Sequence, residues 1–376
     1  MHILEIPSFF TPYGGEFCLE QAKALKALGH EVRILSNVQL GITIGGKDFL
    51  VLPSCRFQHQ QEGVKVCQSY QRGVPLMVHH NVKRWIKIVR SMFNDYLQQY
   101  GKPDILHAHC AKWAGYAAML ISKDYNIPYV ITEHLPKMLL DAEFGKKPAE
   151  AWQIPMLKEA YEKANMTLPV SEELVDDIAC YFGKDYRWTA ISNTVDTAFF
   201  HYQQRSSSDG RPFRFCCLAD NSYRKGYDVL IKAFEALLDE GCNVELHVAG
   251  RNTERLHCRQ MNTYGLLDRQ GVRDLLYHCD ALVLASRSET QGLVLLEALS
   301  TGIPAISTVA IPKSVRIDCG CNYVPIGDAE ALAAAMKQVI EADDFDGRKV
   351  SESVSKIASP SVIAKQLEQL FSDILT

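Results

Sequence analysis

Glu289 and Glu297 stand eight residues apart in the segment SRSETQGLVLLEALSTGIPAIST, residues 286–308. Thr290-Gln291-Gly292 follows the first carboxylate, and an apolar run beginning at Leu293 then leads to Gly302 and Pro304. Ala281–Ala285 before it is a short apolar run of buried-strand type, and Ala305-Ile306-Ser307 after it is another. Strand, polar loop, helix and strand in that order form the right-handed crossover of an α/β sheet. Glu289 then falls in a loop at the carboxyl end of a strand, where open α/β sheets bind ligands. Glu297 falls one to two turns into the following helix. The unpaired N–H groups at the start of that helix, with its positive dipole end, suit a phosphate. Carboxylates beside a phosphate seat suit ribose and sugar hydroxyls, which is the chemistry of a nucleotide-sugar site.

Other residues could do chemistry, and each also has a plainer reading. Gly14-Gly15 ahead of a helix is either a turn or a place where backbone N–H groups close on a pyrophosphate. Lys225, alone, is a surface lysine; after the first strand of a nucleotide-binding domain it is a point charge on the leaving phosphate. His107 reads as a packed strand residue, whereas His109 and His134 sit at loop-facing strand ends and are site candidates. Asp344-Phe345-Asp346 has the spacing of a metal-binding pair but lies in an acidic stretch after an Ala-rich helix, so it reads as a solvated turn. The run from His79 to Gly101 has helical apolar spacing at Trp85, Val89, Met92, Phe93, Tyr96 and Leu97, with Lys83, Arg84, Lys87 and Arg90 on its first turns. It is either a core-facing helix with a solvated basic side or a face for anionic lipid.

The elements that must position these residues alternate strand and helix through both halves of the chain, the pattern of doubly wound α/β domains. Strands are expected at 2–6, 31–36, 104–108, 129–132, 166–169 and 189–191, and again at 213–218, 244–249, 281–285 and 305–307. A polar stretch, Gln203–Pro212, reads as a linker. With 376 residues the chain fits two domains, expected at 1–195 and 196–360, with a last helix, 361–376, packing back on the first. Two such sheets imply a ligand cleft between them. A net charge of −4 argues against nucleic acid as a partner. No run is long and apolar enough to span a membrane, and the amino-terminal residues read as a strand rather than a leader. The twelve cysteines show no C-x-x-C pair or zinc spacing, so they read as reduced thiols in a cytoplasmic protein.

The order of these motifs resembles the retaining glycosyltransferases of the family 4 type, with the GT-B fold. Pro12-Tyr13-Gly14-Gly15 with Leu28-Gly29-His30-Glu31-Val32 looks like the family's opening. Asp104–His109 resembles its D-x-x-H-x-H stretch, Thr132-Glu133-His134 its histidine-bearing strand end, and Asn193-Thr194-Val195-Asp196 its passage into the second domain. Arg224-Lys225-Gly226 resembles the basic turn, and Glu289 to Glu297 the E-x7-E pair. The resemblance implies a nucleoside-diphosphate sugar as donor, a hexose moved with retention of configuration, and a glycan or lipid-linked acceptor. Glu289, His134 and Lys225 would be catalytic; Gly14, Gly15, Arg224, Lys225, Gln291, Gly292, Leu293 and Glu297 would bind the donor, and His109 would face the acceptor side. No metal or cofactor is required. Location would be cytoplasmic, with residues 79–101 as the place for any peripheral contact with the inner membrane face.

The chain departs from the family pattern at Ala219-Asp220, where a glycine-arginine pair is usual: either Arg224 takes over the phosphate or Asp220 points away. Gln291 replaces a common aromatic residue, and the Gly-Gly-x-x-Glu loop is missing from 309–319. Two alternatives follow, a sugar-nucleotide epimerase of the same fold and a catalytically silent nucleotide-sugar-binding subunit.

Overall fold

The structure is a computed structural model that describes residues 1–41, 47–146, 150–204, 210–342 and 344–376. Residues 205–209, half of the polar stretch expected as a linker, and residues 147–149, in the stretch after His134, lie outside the described residues. The chain forms two compact units, one of residues 1–194 and 360–376 and one of residues 195–359.

In the first unit seven strands run β1 (His2–Pro7), β2 (Glu31–Leu40), β3 (Cys55–Gln61), β4 (Val64–Arg72), β5 (Ile105–His109), β6 (Tyr129–Glu133) and β7 (Met166–Pro169). Their order across the sheet is β3-β4-β2-β1-β5-β6-β7. Every pairing is parallel except the β3–β4 hairpin. The central strands are buried on both faces, as parallel strands covered by helices must be. The hairpin was not legible because β3 is polar and half exposed, so it carries no alternation. Its turn is Glu62-Gly63, both at positive φ, the geometry that matches strand twist.

Helix α1 (Glu16–Ala27) covers one face, and α2 (Val78–Tyr100) the other. Val82, Trp85, Ile86, Val89, Met92, Phe93 and Tyr96 of α2 are all buried. The apolar face that lipid would need is therefore inside the core, and the core-facing reading of 79–101 holds. Helix α3 (Pro360–Leu375) returns to this unit and packs Ile363, Ala364, Leu367 and Phe371 beside Leu19, Ala22 and Leu25 of α1. The expected strand at 189–191 does not form a ladder. The chain runs beside β7, where Thr189 and Ile191 donate to the carbonyls of Thr167 and Pro169, with a single bridge at Trp188.

The second unit has six strands: β8 (Phe213–Leu218), β9 (Val244–Ala249), β10 (Met261–Thr263), β11 (Ala281–Leu284), β12 (Ala305–Thr308) and β13 (Cys321–Val324). All are parallel, in the order β10-β9-β8-β11-β12-β13. Helices α4 (Tyr227–Asp239) and α5 (Leu293–Ser300) follow β8 and β11. Asp346, of the Asp344-Phe345-Asp346 segment, has a structural role. Its Oδ1 accepts from the Lys349 N–H at 3.0 Å and caps the helix Gly347–Ala358.

In each sheet the strand order reverses at one place, between β1 and β5 and between β8 and β11. The loops leaving such a pair of neighbours diverge and open a crevice at their carboxyl ends. Both groups of candidate residues lie at these two places. All twelve cysteines are free thiols, six of them buried, and no helix among the described residues is long and apolar enough to cross a membrane.

Candidate functional site

In the second unit the loop after β8 carries Arg224 and Lys225, and the loop after β11 carries Glu289. Gly226 brings them together. Its φ is +67°, and a Cβ there would lie 2.0 Å from the Ala285 carbonyl oxygen, so the two loops meet only because the side chain is absent. Arg287, not singled out by the sequence, fastens the junction. Its N–H donates to the Arg224 carbonyl at 2.7 Å, and its guanidinium grips Asp228 at 2.8 and 2.6 Å.

Lys225 Nζ then lies 2.6 Å from Glu289 Oε1, which also accepts from Ser286 Oγ at 2.7 Å. Arg224 donates to the Ser288 carbonyl at 3.0 Å and reaches Glu289 Oε2 at 3.4 Å. Glu289 is 9% exposed. Burial pushes its carboxyl up, but the charges of Lys225 and Arg224 and the hydrogen bonds from Lys225 and Ser286 outweigh burial and hold it below the usual carboxylate range. Oε2, with one long contact, is the less engaged of the two carboxylate oxygens.

Gly292 starts α5 at φ +82°, where a Cβ would meet Ile311 Cδ1 at 2.5 Å. Leu293 is the first residue of α5, Gln291 before it is buried, and Glu297 is half-buried on the same helix. The N–H groups of Leu295 and Leu296 donate to the Gly292 carbonyl, whereas those of Leu293 and Val294, at the start of the helix, have no carbonyl four residues back within it and point the way an anion would bind. Asp220 turns to Arg251: its Oδ1 accepts from the Arg251 N–H at 2.9 Å, and Oδ2 lies 3.5 Å from Arg251 Nε.

In the first unit Gly14 and Gly15 both have positive φ, +103° and +84°, and a Cβ on Gly15 would lie 2.2 Å from the Phe9 carbonyl oxygen. That tight turn starts α1 and lays Phe17 on the His134 ring, centroids 3.7 Å apart. Glu133 fixes the His134 backbone. Its Oε1 accepts from the N–H groups of His134 and Leu135, each at 2.8 Å, and its Oε2 from the Ala111 N–H at 2.9 Å. The motif pointed to His134; only the structure shows what its neighbour Glu133 does.

His109 differs from expectation. It is 1% exposed, with Nε2 2.7 Å from Glu5 Oε2 and Nδ1 3.4 Å from His134 Nε2, so it does not face an acceptor directly. His107 is also buried, with Nε2 2.6 Å from Thr132 Oγ1 and Nδ1 2.9 Å from the same Glu5 oxygen. Glu5 drew no attention in the sequence, since a single acid in an apolar strand has no partner visible there. Glu5, His107 and His109 are close enough to surround a cation, the ligating atoms lying within 4.8 Å of one another. Their contacts have hydrogen-bond lengths and serve one another, so they form a polar network.

Residues 14–199 match the model of Glycosyltransferase Family 4, and residues 212–342 match that of Glycosyl transferases group 1. With the two parallel-sheet units, these matches define the chain as a glycosyltransferase of GT-B architecture. Among known proteins it is similar to glycogen synthase of Mycobacterium tuberculosis, 25% identical over 354 residues that span 85% of this chain and 80% of that one. In fold it is similar to sucrose-phosphate synthase of Thermosynechococcus elongatus, with a TM-score of 0.77 and 16% identity over 100% of this chain and 99% of that chain. Anabaena HepE, solved in complex with UDP and glucose, gives a TM-score of 0.73 and 15% identity over 99% of this chain and 100% of that one.

Proposed function

We propose that the enzyme moves a hexose-type sugar from a nucleoside-diphosphate sugar to a glycan or lipid-linked acceptor, with retention of anomeric configuration, in polysaccharide or glycoconjugate biosynthesis. The observation that carries this reading is the cluster of Lys225, Arg224 and Glu289 at the diverging loops of β8 and β11. The similarity to a glycogen synthase and to a fold solved with UDP and glucose supports it.

Lys225 and Arg224 meet the diphosphate with the first N–H groups of α5, and Glu297 takes the ribose hydroxyls. Glu289 accepts from a sugar hydroxyl through Oε2. As the anomeric C–O bond breaks, its electron pair passes to the diphosphate oxygen. Fixed positive groups beside that oxygen gain most in the transition state. The acceptor hydroxyl attacks the anomeric carbon on the leaving-group face and gives its proton to the departing diphosphate. The charge of the leaving group is met by side chains, so this scheme requires no metal.

A cavity of about 540 Å³ in the first unit supports an acceptor with an apolar part. Phe9, Phe10, Tyr13, Val38, Leu76 and Trp113 line it. Its polar residues are already engaged: Asn81 bonds both the N–H and the carbonyl of Val74, and Ser8 donates to the His109 carbonyl. A site for a bare sugar would leave such groups free.

The test is a thermal-shift panel of nucleoside-diphosphate sugars, followed by transfer from the best hit to octyl glucoside and to glucose. A true donor at one hundred times its Kd raises stability by about 2.7 kcal/mol. The alkyl acceptor should be used at roughly tenfold lower concentration or less, and the product anomer should match the donor. No stabilisation by any donor would sink the reading. Donor turnover without transfer would favour an epimerase.

A further inference from the structure

A row of buried polar side chains lies beneath the carboxyl ends of β1, β5 and β6. Glu5 is 0% exposed, His109 1% and His134 8%. Glu5 Oε2 stands 2.7 Å from His109 Nε2, and His109 Nδ1 stands 3.4 Å from His134 Nε2. His134 Nδ1 is buried and has no hydrogen-bond partner among the described residues.

The proton positions follow from what each atom can do. A carboxylate only accepts, so a nitrogen 2.7 Å away must bring the hydrogen: His109 carries it on Nε2. A neutral imidazole has one N–H, so His109 Nδ1 is a lone pair and can only accept. The contact to His134 then needs the hydrogen on His134 Nε2, which leaves His134 Nδ1 as a bare acceptor. The electrostatics agree. Burial, with the neighbouring His107, pushes His109 down to about 4, and burial also pushes His134 well below the ordinary histidine value, so both rings are neutral near pH 7. Burial pushes Glu5 up, but the charge of His107 and hydrogen bonds from His107 and His109 outweigh it and hold Glu5 at about 2. His107 takes no part in the chain to His134; it bonds Thr132 and faces the same Glu5 oxygen.

We infer that Glu5 is a positioning residue that acts through His109 to fix His134 in one tautomer, so that Nδ1 is presented as an obligate acceptor for a substrate hydroxyl. A buried acceptor left unpaired is unfavourable, and a sugar hydroxyl supplies the missing donor. Phe17 stacks on the ring at a 3.7 Å centroid distance, against its face and not against the in-plane Nδ1 lone pair. His134 is thereby excluded as a general acid. The tautomer assignment stands on these contacts together with the neutrality of the two buried rings; the use of Nδ1 by a sugar rests on the proposed function.

The experiment is a long-range proton–nitrogen correlation spectrum of the full chain labelled with 15N-histidine at pH 7. Signals are assigned with His109→Gln and His134→Gln, and transfer from UDP-glucose is measured in parallel. The wild-type protein should show unprotonated Nδ1 and protonated Nε2 on both rings. In Glu5→Gln the amide can either accept or donate, so the single tautomer of His134 should give way to a mixture, and kcat should fall about tenfold or more. Glu5→Asp, which keeps the carboxylate, should recover part of both. A protonated Nδ1 on His134 in the wild-type protein overturns the inference without any variant. An unchanged His134 tautomer in a folded Glu5→Gln protein overturns it as well. A wild-type spectrum as expected, with no nucleoside-diphosphate sugar transferred, refutes the substrate role alone.

Discussion

The two units place their candidate residues at the same topological position but hold them in opposite ways. In the second unit Lys225 and Arg224 are partly open to solvent and both pair with the buried carboxylate of Glu289. In the first, Glu5, His109 and His134 form a buried row in which one carboxylate sets two neutral rings. A charged cluster can exchange its internal partners, the cations for a diphosphate and the carboxylate for a hydroxyl donor, without leaving a group without a hydrogen-bonding partner. A buried row has no spare charge, so it can offer only a hydrogen bond of fixed direction. One arrangement suits a leaving group that gains charge; the other suits reading the orientation of a hydroxyl.

The contrast can be broken most forcefully at the charged cluster. Lys225→Ala and Glu289→Ala should each lower turnover by about 10²–10³ or more while circular dichroism stays unchanged, and near-normal rates in both would end the comparison. Gly226→Ala should destabilise the second unit by roughly 2–4 kcal/mol, because the new Cβ collides with the Ala285 carbonyl and the residue keeps positive φ. Faster amide exchange in α4 and β11 would register it.

Acid should act differently on the two candidate sites. His109 has a folded value of about 4 against an ordinary 6.5, so its unfolded form binds the proton first, and stability is lost as pH falls from 6.5 to 4, by roughly 3 kcal/mol. Glu289 is held below its ordinary 4.5, so its contribution is intact above that value and is lost only below it. All four tryptophans, Trp85, Trp113, Trp152 and Trp188, lie in the first unit. Their fluorescence in urea at pH 7 and pH 5 should show a midpoint that drops with acid; an unchanged midpoint would mean the histidines are not neutral. The smallest effect is expected at Arg224, whose contact with Glu289 is 3.4 Å long. Arg224→Ala should cost about tenfold in kcat/KM, less than Lys225→Ala.

Much of the fold was legible because long apolar runs and glycine turns report strand and helix order. The hairpin partner β3 was not, since an exposed polar edge strand has no period. The strand expected at 189–191 failed because its apolar residues line an irregular stretch beside β7. Of the candidate residues, Lys225 and Glu289 were visible through the elements around them, and the structure adds that they touch. Asp220 raised an open alternative, and its hydrogen bond to Arg251 shows where the carboxylate turns. Glu5 and Arg287 were invisible for a different reason. Their partners are 104 and 59 residues away, and a spacing of that kind carries no local signal.

Helix α3 gives the chain an unusual schedule of assembly. The core of the first unit contains Ile363, Leu367 and Phe371, which the ribosome adds only after the whole second unit has been synthesised. The unit synthesised first must therefore wait, with the α1 surface around Leu19 and Leu25 uncovered, while the later one folds. Its nascent form is the species with most need of a chaperone, and carboxy-terminal truncation should lower yield through the amino-terminal half of the chain.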